Sequence, residues 1–541
     1  MSAPTLISEE LVVAEPLAED TPAIIGSRIP RHVARQVAAG TSALALGVFI
    51  ERGSGLLANI LAARLGGTAI FGAYSLAFST ANNISTYAAG GIGATATRFS
   101  GKYPFESRGY VTLARVLALI STVSAATAVI ALWAGAPAIA QLLHKPALSS
   151  LLRWASLSAG GMIVLECARG FFVGQRRLRG LVLLSSIVGI GMLALLPVAA
   201  WMHQPIRMIL AQGGVTIFAV ALCLLCARPL GLRPPASANT GLPFLAMLRE
   251  VWSFGFIQLT GLIASNLAGW WLTALIARAD TTLVQMSFFA VASQMRNLAG
   301  LGPSLLTEGS YASIASPEYR TPHHVMAACT FVSTALVLLL ACVGTILAPQ
   351  GLRLIYGKAY PSASVAVAAA LSIAVVHMGN APAAARLSVV SIKTTGIINT
   401  IWAVAIAVAG TLLFARGGNA ALAMGIYFGA HALSAALVLL ILKKIDYVPA
   451  GMAPLFLLST VTAFTLTLFA ALRQLDSAHT WPLSIAMGVL STLSMATLAA
   501  LGKRHGWMPT LEAVRVGVRK LASMVGFETR EHATGRANDF K

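Results

Sequence analysis

Charge is what this 541-residue chain has least of. Only 10% of its positions are charged and 57% are hydrophobic, against about 25% charged in soluble globular domains. That excludes an ordinary soluble enzyme. Acidic residues are the scarcer sign, 18 Asp and Glu against 38 Lys and Arg, for a net charge of +20. In a soluble protein this excess would point to nucleic acid. In a membrane protein basic residues gather in cytoplasmic connections, so orientation accounts for the excess and no nucleic-acid partner is implied. Cysteine is also sparse. All five (Cys167, Cys223, Cys226, Cys329, Cys342) lie in apolar runs, and Cys223 and Cys226 read as packed small hydrophobes rather than a zinc or redox pair. There is no Walker sequence, and Gly90-Gly91-Ile92-Gly93 has no strand before it, which excludes a nucleotide loop. The adjacent His323 and His324 are too isolated for a metal site. No segment gathers a nucleophile, a base and an orienting group. Neither an enzyme nor a cofactor is expected.

What remains is apolar sequence of bilayer length. A spanning helix needs about 20 apolar residues, and fourteen such segments can be read: 41–62, 69–95, 112–134, 148–173, 181–202, 206–227, then 251–277, 283–306, 324–348, 363–388, 396–415, 419–442, then 453–473 and 482–502. The fold class is therefore an all-α polytopic membrane protein of about 14 transmembrane helices, arranged as six, six and two. The domain plan has a disordered tail at 1–40, a first six-helix lobe at 41–227 and a Pro-rich cytoplasmic linker at 228–250. A second lobe follows at 251–442, then two additional helices within 443–502 and a basic tail at 503–541. In that tail Leu511, Val514, Val518, Leu521 and Val525 recur at helical spacing behind Thr510, which suits either an amphipathic helix on an anionic leaflet or a solvated basic tail. Counting Lys and Arg in alternate connections assigns 24 to one side and 8 to the other. Both termini are then cytoplasmic, which requires an even number of spans.

The two lobes read as a repeat. A shift of 214 residues brings Leu61, Ala63, Arg64, Thr68, Ser79 and Asn83 onto Leu275, Ala277, Arg278, Thr282, Ser293 and Asn297, and Arg179 onto Lys393. Six spans per lobe give both lobes the same orientation, so the repeat axis runs along the membrane normal, and the expected architecture encloses a cleft between the lobes. Ionisable groups within spans cost about 2.5–3.5 kcal/mol each and mark hydrated or protein-lined cavities. The candidates are Glu51 and Arg52 in the first span, Glu166 and Arg169 one turn apart in the fourth, and Arg296 beside Asn297 in the eighth. Arg52, Gly55 and Asn59 share one helical face. Arg52 and Arg296 read as cations facing a central cavity and an anionic substrate, or as partners in interhelical pairs. Glu166 with Arg169 reads as a self-neutralising pair or a binding element. Arg64 and Arg278 sit at equivalent outer positions, as gate residues or loop charges. Arg115, Glu308 and Arg386 lie nearer span ends, where they can snorkel. His377 and His431 lie inside spans, as proton relays or as packed rings hydrogen-bonded to carbonyls.

Three stretches carry a family resemblance. Arg64-Leu65-Gly66 followed by Phe71-Gly72-Ala73-Tyr74 resembles the first-helix signature of polysaccharide flippases in the multidrug, oligosaccharidyl-lipid and polysaccharide exporter superfamily. The run from Gly90 to Arg98 is similar to the end of that family's second helix, and Gly174 to Gly180 to its basic turn between helices four and five. The resemblance covers roughly residues 35–445. It implies an inner-membrane flippase carrying a polyprenyl-pyrophosphate-linked oligosaccharide, for cell-surface or exopolysaccharide synthesis. Cavity arginines would hold the pyrophosphate, with Arg52, Arg64 and Arg278 carried over and Arg296 added from the charge argument. Membrane lipids, a polysaccharide polymerase and glycosyltransferases are the implied partners. Arginine suits this cargo, because its fork binds phosphate oxygens bidentately and stays charged. Two departures stand out. The spans after Met452 exceed twelve, and the first helix lacks the Arg-Asp sequence of lipid II flippases. The competing readings are a cation-coupled multidrug antiporter of the same fold, and a membrane scaffold or integral glycosyltransferase.

Overall fold

The computed structural model describes residues 31–103, 107–226, 243–315, 321–475 and 480–508. The acidic tail, most of the Pro-rich linker, the segment behind Thr510 and the side chains of Cys223 and Cys226 lie outside the described residues. The helices are α1 (Arg31–Ala89), α2 (Ile92–Ser100), α3 (Arg108–Leu142), α4 (Ser149–Gly174), α5 (Leu178–Trp201) and α6 (Pro205–Cys226). They continue with α7 (Phe244–Ala279), α8 (Val284–Ile314), α9 (Thr321–Tyr356), α10 (Ser364–Val390), α11 (Ile392–Phe414), α12 (Ala420–Ile445), α13 (Met452–Leu475) and α14 (Thr480–His505). Helix α1 begins inside the stretch read as tail, because hydropathy locates the apolar run and not the helix start. Arg31 to Ala39 contains neither Pro nor Gly, so nothing forbids a helix before the run begins.

Eleven helices among the described residues are long and apolar enough to cross a bilayer. The break in α1 makes two passes of it, and α7 and α8, of 36 and 31 residues, are long enough to add two more, which agrees with fourteen. Gly67, at φ 76° and ψ 172°, breaks α1, a conformation a side chain rarely adopts. Before it, Gly47, Glu51 and Gly66 lie against Ser185, Gly189 and Ala200, so this half runs parallel to α5. After it, the chain continues into α2, where Gly93 and Gly101 lie against Glu166 and Gly174 of α4, so this pass runs parallel to α4. Side chains sort as a bilayer requires. Ile130, Val404, Phe464 and Leu493 are exposed mid-span, where hydrocarbon takes the place of water.

The repeat is visible in the element starts. Helices α4, α5 and α6 begin 214–215 residues before α10, α11 and α12. A single 3-10 turn opening on Pro146 precedes α4, and one opening on Pro361 precedes α10. Helices α13 and α14 attach to the second lobe. Ser372 donates to the Ala463 carbonyl at 2.8 Å, and Arg473 donates to the carbonyls of Ile346 and Thr345. Cys167, Cys329 and Cys342 are buried free thiols, as expected of packed small residues.

The lobes meet at both ends. On the face rich in Lys and Arg, Lys102 pairs with Glu250 at 3.2 Å and the Arg98 guanidinium lies over the Phe254 ring at 4.4 Å. Deeper in the seam Trp270 donates to the Thr80 hydroxyl and Asn83 to the Asn266 carbonyl. On the opposite face Tyr360 donates to the Ala63 carbonyl. These contacts bridge the seam at both ends and between them.

Candidate functional site

A hollow of about 520 Å³ lies inside the first lobe, walled by both halves of α1 and by α2, α4, α5 and α6. Its polar lining includes Glu51, Asn82, Ser85, Glu166, Arg169 and Gln212. This hollow lies within one lobe rather than between the two, and Thr80 and Asn83 with their partners bridge the seam beside it. Arg169 bonds to Glu51 and, at 2.6 Å, to Glu166. Two carboxylates around one guanidinium give this cluster a formal excess of one acidic group, and the Glu166 side chain is half exposed. Close backbone approach sets the geometry. A Cβ on Gly170 would stand 2.2 Å from the Gly93 carbonyl oxygen, so α4 approaches α2 this closely only because position 170 is glycine.

The second lobe carries its counterpart. Arg296 of α8 lies over the Tyr427 ring at 5.8 Å, Tyr427 stacks on His431, and His431 stacks on His377 at 4.7 Å. Trp402 of α11 borders Tyr427 and His431. His377 is exposed although α10 is the most buried of the spans, with 78% of its most apolar stretch inside the protein. A side chain accessible to water on such a helix lines an internal hollow. With each helix shifted by its own repeat offset of 214 or 215 residues, Arg296, His377, Trp402, Tyr427 and His431 fall on Asn82, Met162, Val188, Gln212 and Thr216, all of which line the first-lobe hollow. The same scaffold positions are neutral beside an acidic cluster in one lobe, basic and aromatic in the other.

The other expected site residues are dispersed. Arg52 is exposed, absent from the first-lobe lining, and forms no ion pair among the described residues. No described contact brings it to Arg296. Asn59 spends its amide on the Gly55 carbonyl of its own helix at 2.8 Å. Arg64 and Arg278 stand outside both hollows. Arg64 donates to the Leu354 carbonyl at 2.8 Å, at the end of α9. Arg278 lies 3.5 Å from the His144 ring, before α4. Each arginine thus reaches from its own lobe into the other. Arg386 does not snorkel: it pairs with Asp446 at 2.7 Å, and Asp446 also holds His323 at 2.9 Å. The sequence missed Tyr427 and Trp402 as site residues. Their signal was the repeat offset, which places both opposite hollow-lining positions of the first lobe.

The polysaccharide biosynthesis protein family matches residues 37–307. Among solved structures, the lipid II flippase MurJ in an inward closed conformation superposes with TM-score 0.61 and 12% identity, over 85% of this chain and 98% of that one. An inward-facing multidrug resistance MATE family transporter gives TM-score 0.58 and 13% identity, over 79% of this chain and 98% of that one. The eukaryotic MATE transporter AtDTX14 gives 0.51 and 13%, over 80% and 99%. No curated protein sequence matches the chain. With half its length matched to that family and its two lobes superposing on flippase and multidrug-transporter structures alike, the chain belongs to the polysaccharide biosynthesis protein family.

Proposed function

We propose that the protein is a flippase that carries a polyprenyl-pyrophosphate-linked oligosaccharide across a bacterial inner membrane by rocking its two lobes. The observation that supports this reading is Arg296, a guanidinium within a span that borders an internal hollow and has no carboxylate partner among the described residues. A pyrophosphate carries about two negative charges, and a guanidinium in a low-dielectric hollow attracts them far more strongly than one in water. Arg52, exposed and without an ion pair among the described residues, is the second cation of the reading. Arg64 and Arg278 act at the seam rather than on the cargo. The face rich in Lys and Arg is cytoplasmic, both termini lie there, and a polymerase and glycosyltransferases handle the glycan before and after transport.

The multidrug antiporter is the second reading, and a specific feature favours it: the acidic first-lobe hollow with Glu51 and Glu166 suits a cation. Purified protein in liposomes separates the two. On the flippase reading it moves a fluorescent polyprenyl-pyrophosphate disaccharide between leaflets, and Arg296→Glu abolishes the movement while the variant still inserts. Undiminished transfer by Arg296→Glu, or cation–proton exchange without lipid transfer, would overturn it.

A further inference from the structure

The second-lobe hollow holds more titratable nitrogen than a phosphate clamp needs. His377 and His431 lie nearly face to face, with ring planes 27° apart. Neither imidazole hydrogen-bonds to a described residue, contrary to the expectation of packed rings tied to carbonyls. The Trp402 indole N–H is buried beside them without an acceptor among the described residues. Buried donors almost always find partners, and each one left alone costs about 1–3 kcal/mol. The hollow is rich in donors and short of acceptors.

The described residues around it bring no negative charge. Helix α8 supplies Arg296, α10 supplies His377, α11 supplies Trp402, and α12 supplies Tyr427 and His431. Helix α7 meets Tyr427 through Gly269. Helices α9 and α13 meet α10 through Thr334 and through Thr467 and the Ala463 carbonyl. The described acids of this lobe, Glu250, Asp280, Glu308 and Asp446, sit toward helix ends. Glu308 is twelve residues from Arg296 on α8, about 18 Å at the helical rise.

We propose that this hollow is an anion site charged by protons: a phosphate or carboxylate group of the ligand is held by Arg296 together with ring N–H groups of His377 and His431, and its binding brings a proton onto the histidine pair. The proton comes from water and returns to it when the anion leaves. The neutral pair avoids three crowded cations while the hollow is empty, and the imidazolium offsets the anion's charge when it is full. The inference rests on the flippase reading and adds to it a proton carried with the cargo.

The test uses the full-length protein in nanodiscs and isothermal titration calorimetry in two buffers of different ionisation heat, from pH 6 to pH 8. Farnesyl pyrophosphate probes a lipid headgroup and glucuronic acid probes an acidic sugar; whichever binds names the source of the anion. The expected result is uptake of about one proton, with affinity falling about tenfold per pH unit above the imidazole range. In H377Q/H431Q the uptake disappears and the affinity becomes flat with pH, while Arg296→Gln weakens binding throughout. Should the double variant not fold, H377Q and H431Q singly each reduce the uptake. Binding by wild type that is flat with pH, equal uptake in the histidine variants, or no binding of either probe at pH 6 would overturn the proposal. If Arg296 is needed for lipid transfer yet binding is flat with pH, only the proton claim fails. If proton-linked anion binding persists without lipid transfer, it is the flippase reading that fails.

Discussion

Arg64 of the first lobe donates to the Leu354 carbonyl of the second at 2.8 Å, and its repeat equivalent Arg278 reaches back to His144 of the first. The two contacts latch the lobes reciprocally on the face opposite the basic one. Arg64 also places its positive charge at the end of α9, where unsatisfied carbonyls and the helix dipole favour a cation.

Removing that solvent-exposed bond costs about 0.5–1.5 kcal/mol, which shifts a two-state equilibrium by roughly two- to tenfold. Arg64→Gln is therefore expected to open this face. Spin labels placed across the seam would report it as a second, longer distance population, and an unchanged single distance would refute the latch.

Arg169 tests the first-lobe hollow. Alone, Arg169→Gln leaves Glu51 and Glu166 facing each other without a cation. Breaking a partly buried pair on one side costs about 3 kcal/mol, so a clear fall in melting temperature is expected. The double variant E51Q/R169Q leaves no like-charge repulsion and should recover part of the loss. Additive losses would show that Glu51 and Arg169 are not coupled.

Asp446 supplies a pH dependence at the basic face. Burial opposes its ionisation, but hydrogen bonds from Arg386, the Tyr447 backbone and His323, with the His323 charge, outweigh that and hold the carboxyl below its ordinary value. A folded-state pKa below the unfolded one stabilises above the ordinary carboxylate range and is lost as pH falls through the folded value. The melting temperature should therefore drop on acidification below about pH 4. Asp446→Asn should be less stable at pH 7 by about 3 kcal/mol, with a shallower acid slope. Parallel curves for variant and wild type would remove this role.

Much of the fold was legible without coordinates. Fourteen apolar runs, the basic asymmetry and the 214-residue repeat all report local chemistry, since a span must be apolar along its whole length wherever it packs. The site was only partly legible. Arg296, Glu166 and Arg169 announced themselves as charges in apolar sequence. Tyr427 and Trp402 did not, because an aromatic residue in a membrane helix looks the same whether it faces lipid, a neighbour or a hollow. The pairing of Arg386 was hidden for a related reason: its partner Asp446 lies 60 residues away, beyond the reach of helical periodicity.

Composition and periodicity alone determined that the chain crosses the membrane repeatedly, in two like-oriented halves, since bilayer thickness and the cost of moving charge act on each segment separately. Tertiary structure alone decided that the lobes close against each other at both faces, that Arg169 is neutralised while Arg296 meets no described carboxylate, and that two histidines from different helices stack. Those outcomes depend on which helix faces meet, and the energy of a meeting belongs to both partners, so neither segment's sequence contains it.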